Sequence, residues 1–227
     1  MPHVVAAAAA ANPWFSWQYI TENRAEIQTA LEQHLRLTVE TILIGTAIAL
    51  PLALAAFRWR RLATPLLGLA GVLYTVPSLA LFALLYPITG LSERTVLIGL
   101  VIYALLVLVR NTLAGLQGVP EDVREAARGM GYGTATMLWR VELPVALPTI
   151  MAGVRVATVS TVALVTVGVI VGEGGLGQLI FRGFQSDYRA EIMMASLLVV
   201  ALGLALDLAL ALVTRLLMPW SRAGRSS

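Results

Sequence analysis

The chain has 227 residues, 58% of them hydrophobic and 13% charged, with a mean hydropathy of +0.81. Soluble domains carry about 25% charged residues, so this deficit excludes a water-soluble globular class and points to an all-α polytopic membrane protein. The formal net charge of +3 sets sixteen arginines, and no lysine, against thirteen acids; the arginines sit at the ends of apolar runs and form no basic face, which argues against nucleic acid.

The opening residues, MPHVVAAAAAANP, lack the charged segment of a secretory signal and read as a flexible or weakly helical lead. Residues 14–34 mix polar and aromatic side chains, with Ile20, Ile27 and Leu31 at roughly helical spacing. Two readings are open here. One is an amphipathic helix lying at the interface with Trp14, Trp17 and Tyr19 at headgroup depth; the other is a short solvated helix. His3 and His34 are not placed to share a metal and read as solvated or interfacial. With no cysteine in the chain, disulfides, thiolate metal sites and Cys nucleophiles drop out. Residues 1–35 are thus a lead before a membrane domain of residues 36–218, and residues 219–227 are a tail.

Five apolar stretches follow, at 37–57, 62–88, 95–116, 147–171 and 192–218. Each is near or above the ~20 residues that cross ~30 Å of hydrocarbon. Glu40, at one end of the first, is expected to pair with Arg36 at i, i+4. Pro65, Pro77 and Pro87 are expected to break the second, because proline removes a backbone donor and kinks a helix. In a membrane such a break is tolerated where protein or water satisfies the freed groups. The TVPSLA run at residues 75–80 is therefore expected to face protein or a pathway, with Tyr74, Pro77 and Ser78 as candidate positions.

Asp207 lies deep in the fifth stretch, about 15 Å from its end at ~1.5 Å per residue. A charge there is costly and normally paired. Arg155 and Arg110 fall at similar depth, Arg155 being the preferred partner; a water or a backbone group is the alternative.

The arginines orient the set. With the N-terminus outside, Arg58, Arg60, Arg61, Arg124, Arg128, Arg140, Arg215, Arg222 and Arg225 fall on the inner side, against Arg94, Arg182 and Arg189 outside. Nine against three is a positive-inside bias.

Between the third and fourth stretches lies REAARGMGYGTATMLWRVELP, residues 124–144. It is too polar to span. Pro120, Glu121 and Asp122 make a helix start, and Gly129, Gly131 and Gly133 break that helix. A second short helix over 134–142 is expected to stop at Pro144. The result is a helix–turn–helix knob, longer than an ordinary connector.

Glu125, Ala126 and Ala127, three residues, Gly131, nine residues, then Val141, Glu142, Leu143 and Pro144: this spacing resembles the EAA motif of the membrane subunits of ATP-binding-cassette (ABC) importers. The resemblance implies a type I importer permease fold of about five transmembrane helices. It makes the loop at residues 117–144 a cytoplasmic coupling helix that docks on the ATPase. The segments HLRLTVETILIGTAIALPLALA (34–55), TVPSLALFALL (75–85), YALLVLVRNTLAGLQGVP (103–120) and GEGGLGQLIFRG (172–183) are similar to the osmoprotectant branch, which imports glycine betaine, choline or carnitine. Two positions depart from that pattern: Tyr74 stands where many relatives have a polar amide, and Glu173 where many have alanine. The alternative is an importer of another small solute, such as an amino acid.

The resemblance implies partners: two cytoplasmic ATPases carrying ATP and magnesium, a second permease, identical or similar, and an outer binding protein with an aromatic cage for the ammonium. It places the chain in the bacterial cytoplasmic membrane. The residues agree on the division of labour. Without lysine there is no G-x-x-x-x-G-K-[ST] loop, so ATP hydrolysis must lie on another chain. No cofactor or metal is expected on this one. The GEGGLG run matches G-x-G-x-x-G, but it follows a span and not a strand, so it reads as a Gly-rich turn at the mouth. An intramembrane enzyme would need positioned nucleophiles or paired acids; the spans hold one Asp and no mid-span His, and no catalytic residue is expected. A channel would leave the knob unexplained.

Overall fold

The computed structural model describes residues 12–218. The first eleven residues, with His3, and the tail from residue 219, with Arg222 and Arg225, lie outside the described residues. Within them every regular element is helical.

A short helix α1 (Trp17–Glu22) is capped by Ser16, whose Oγ accepts the Tyr19 N–H at 3.1 Å. Asn23 interrupts the helix for one residue. The helix then restarts as α2 (Arg24–Arg58), 35 residues long, about 52 Å at 1.5 Å per residue. Residues 14–34 are therefore not one continuous helix: residues 24–34 belong to the same helix as the first apolar stretch. Tyr19 differs from its aromatic neighbours in exposure. It is buried, edge-on to Tyr188 with ring centroids 5.3 Å apart, while Trp14 and Trp17 are exposed.

Helices α3 (Arg60–Thr75) and α4 (Ser78–Thr89) replace the single second stretch and are bent by 97° at the break between them. Only Pro77 breaks the helix. Val76, forced out of the helical region by the ring that follows it, is extended at φ −64, ψ 126. Pro65 and Pro87 stay inside α3 and α4. Each lies near a helix end, and the residue four before it, Arg61 or Ala83, is exposed, so the carbonyl it leaves free can be solvated.

Helix α5 (Glu93–Gln117) follows, then α6 (Glu121–Gly129) and α7 (Thr134–Met137). The chain does not stop at Pro144. A π-helical turn over Leu138–Glu142 leads straight into α8 (Leu143–Val165). The turn contains residue 140, whose carbonyl Pro144 would otherwise meet; the wider helix absorbs that conflict. A 3-10 turn (Thr166–Val171), a helix α9 (Leu176–Gln185) and α10 (Arg189–Leu217) complete the chain. Helix α9 falls where a loop is expected. Four helices, counting Thr134–Val171 as one run, are long and apolar enough to cross a membrane, and up to five if the bent pair is one span.

Contacts divide the chain into two units, each built from three segments. In the first (residues up to 41, 77–100 and 160–205), Leu37, Phe82, Val96, Leu100, Val165 and Val171 form one core cluster, and Tyr19, Leu176, Leu179 and Met194 belong to another. The second (42–76, 101–159 and from 206) packs mostly small residues: Ala49, Ala53, Ala56, Ala104 and Ala157 around Leu108 and Leu113. Small side chains let helix backbones approach, the usual device where no hydrophobic effect drives association. At Gly115 a Cβ would come within 2.9 Å of the Ala146 carbonyl oxygen. On α10 the apolar stripe Leu197, Val200, Leu204, Leu208, Leu212 and Leu216 remains exposed.

Candidate functional site

The knob residues all lie in the second unit. Helix α6 starts at Pro120 with Glu121 and Asp122 in its first turn, where acids meet the positive helix end. It ends in a left-handed turn at Gly131, φ +81. The Tyr132 N–H bonds the Ala127 carbonyl at 3.1 Å and the Gly131 N–H bonds the Arg128 carbonyl at 2.9 Å. This double closure needs positive φ, which glycine adopts without steric cost. Gly131 of the motif is therefore explained by backbone geometry.

Arg124 is the centre of the knob. Its Nε donates to Glu142 Oε1 at 2.9 Å, its Nη1 to Glu121 Oε2 at 3.2 Å and its Nη2 to the Leu116 carbonyl at 2.8 Å. The guanidinium also lies 5.6 Å from the Phe57 ring centroid. One side chain thus ties the end of α5, the first turn of α6, the π-helical turn and α2. Glu121 takes a second bond from Arg128, at 2.8 Å. The Arg128 and Arg124 guanidinia hold the Glu121 carboxyl below the usual carboxylate range. Sequence reasoning placed Arg124 among the inner-side arginines and Glu142 in the motif, but not the two in contact. The i, i+3 spacing of Glu121 and Arg124 is a local signal; the Glu142 contact, eighteen residues away, has none.

The motif residues divide by side. Ala127 and Glu142 are buried, and Val141, Leu143 and Pro144 are half-buried. Leu143 and Pro144 line an apolar cavity of 420 Å³ with Thr46, Leu50, Leu108 and Trp139. Glu125, Ala126 and Gly131 are exposed, as are Met130 and Trp139. The buried residues hold the knob's shape; the exposed ones include a carboxylate, small residues and two large apolar side chains, of which Trp139 also borders the cavity.

The pathway candidates are placed as follows. Arg155 and Asp207, both in the second unit, form a bidentate pair, Nε to Oδ1 at 2.8 Å and Nη2 to Oδ2 at 2.7 Å. Arg110 is exposed and is not the partner. Tyr74 is exposed and packs edge-on to Tyr103. Pro77 is exposed and caps α4; Ser78 is half-buried.

Three further residues depart from expectation, all in the first unit. Arg36 pairs with Glu93 at 2.8 Å and not with Glu40. Both acids line a polar cleft of 530 Å³ with Thr89, Ser92 and Arg94; α5 brings Glu93 to Arg36, and the pairing within α2 gives way. His34 is not solvated. It is fully buried, its Nε2 bonds the Val162 carbonyl at 3.0 Å, and Gly175 packs on it. A Cβ at Gly175, whose φ is +52, would sit 2.7 Å from the His34 Cβ. Glu173 accepts a hydrogen bond from Gln33, whose own oxygen takes the Gly175 N–H at 3.1 Å. The Gly-rich turn is thereby fastened to α2. It joins a 3-10 turn to a helix, and no strand flanks it.

The sites contain exposed carboxylate and apolar groups and charge-pairing groups. A model of the family described as binding-protein-dependent transport system inner membrane component matches residues 41–223. The chain belongs to that family. It is therefore a permease subunit of an ABC importer, a membrane-embedded transport component that works with ATPase and solute-binding partners. Among the relatives of this permease is the choline transport system permease protein of Bacillus subtilis (strain 168), 31% identical over 202 residues, covering 89% of this chain and 93% of that one. The osmoprotectant import permease protein of Salmonella typhimurium (strain LT2) is 34% identical over 194 residues, covering 83% and 90%. The inward-facing MetNI methionine ABC transporter has a similar fold, with TM-score 0.72 at 21% identity over 82% of this chain and 94% of that one. The type I importer permease fold is thus the fold of this chain.

Proposed function

We propose that this permease imports osmoprotectants, quaternary amines such as glycine betaine, choline or carnitine, by alternating access. The observation that carries the reading is the likeness to choline and osmoprotectant permeases across more than four-fifths of both chains. The fold is shared with a methionine transporter, so fold alone does not choose the solute.

The mechanism assigns the loop at residues 117–144 to the cytoplasm, where the arginine bias puts it, with the N-terminus outside and the C-terminus inside. The exposed side of the knob, Glu125 and Ala126 with Met130 and Trp139, docks on one of two ATPases, which carry ATP and magnesium. ATP-driven closure moves the knob, and the Arg124 contacts pass that movement to α2 and α5. Two permeases, identical or similar, form one pathway. A binding protein outside delivers the solute. Residues 36–218 form the transmembrane domain.

The test is at the knob. Glu125→Arg and Gly131→Leu should reduce co-purification with the ATPase and abolish osmoprotectant uptake by cells, with the permease still in the membrane. Unchanged association together with unchanged uptake would contradict the coupling assignment.

A further inference from the structure

The bend in the second membrane segment presents one aromatic ring in an unusual way. Helix α3 ends at Thr75, and the extended Val76 leaves its carbonyl outside the helical ladder. The Tyr103 hydroxyl, on α5, donates to that carbonyl. The bond fixes the Tyr103 ring, which is buried, and Tyr103 in turn stands edge-on to Tyr74 at 5.8 Å between centroids and 74° between planes. Tyr74 is held by this contact, yet 45% of it is open. Its hydroxyl has no hydrogen bond among the described residues.

Depth makes that exposure informative. Tyr74 lies fourteen residues beyond the first residue of α3, about 21 Å along the helix, well inside a hydrocarbon layer of about 30 Å. A phenol there with no partner is costly against lipid. Discontinuous helices in transporters commonly line solute cavities.

We infer that the open face of Tyr74 is a contact site for the methylated ammonium group of the solute as it crosses. A quaternary ammonium has no N–H and cannot be held by hydrogen bonds, but an aromatic face attracts it through its quadrupole. One ring gives a weak site, which suits a step the solute must leave as readily as it enters. The inference rests on the quaternary-amine reading above and adds the residue that meets the charge.

The experiment uses the full transporter in proteoliposomes, with its ATPase and binding protein, and follows labelled choline. Tyr74 is replaced by Phe, then by phenylalanines bearing one, two and three ring fluorines, which withdraw charge from the face with little change of shape. Tyr74→Phe should keep uptake within about twofold of the parent. The fluorinated series should then fall stepwise, by about tenfold in all, with solute-free ATPase activity and ATPase co-purification unchanged. A flat series, or a loss complete at Tyr74→Phe, overturns the inference while leaving the quaternary-amine reading in place. A parent transporter that takes up neither choline, glycine betaine nor carnitine overturns both.

Discussion

Arg124 shows how one side chain can hold a helix–turn–helix knob. It is 14% exposed and Glu142 is 11% exposed, so each depends on the other for its missing water. Removing one partner of a buried pair costs about 3–5 kcal/mol; with this residual exposure, about 1–3 kcal/mol is expected. Glu142→Gln should therefore lower the melting temperature of the purified permease and reduce ATP-driven uptake, while Glu125→Gln, on the open side, should leave the melting temperature unchanged. Titration acts at Glu121. Its folded carboxyl is held below its unfolded value by Arg128 and Arg124, so its stabilising effect is present above about pH 4.3 and is lost as pH falls through and below that value. Melting measured from pH 7 downward should show an acid limb that Glu121→Gln flattens. Asp207→Asn would leave Arg155 without its carboxylate partner. The variant should melt lower than the parent, and the exchange Arg155→Asp with Asp207→Arg should recover part of the loss if the pair acts as a fastener between α8 and α10.

At the scale of elements, backbone conformation decides what the chain tolerates. Gly131→Ala places a side chain at φ +81 and should cost about 1 kcal/mol, with Gly131→Asn costing less. Gly175→Ala meets both a positive φ and His34, and should be the more damaging of the two by thermal melting. The helices themselves were legible from their apolar runs, and the start of α6 from Pro120 and its acids. Three features were not. Pro144 has the form of a stop, but the π-helical turn carries the helix past it. Helix α9 was hidden because GEGGLG reads as a loop, although Leu176, Leu179, Ile180 and Gly183 follow at helical spacing. The pairing of Arg36 with Glu93 depends on where α5 packs, fifty-seven residues away, which no local spacing encodes.

For the whole molecule, the pattern of charges and the knob act together. The chain supplies membrane helices, a structured knob and pairing charges, while ATP hydrolysis and solute capture fall to partners. The motif spacing was readable because it reflects local needs: positive φ at Gly131, small residues at Ala126 and Ala127, and a proline at the entry to α8. The solute was less readable, because osmoprotectant and methionine permeases share this fold. The most direct measurement is labelled choline and glycine betaine uptake into proteoliposomes holding the permease, its ATPase and its binding protein. The account predicts uptake that requires ATP on the ATPase side and the binding protein on the other, and that Glu125→Arg abolishes. Uptake of methionine or another amino acid with none of either quaternary amine, or uptake indifferent to ATP, would contradict it.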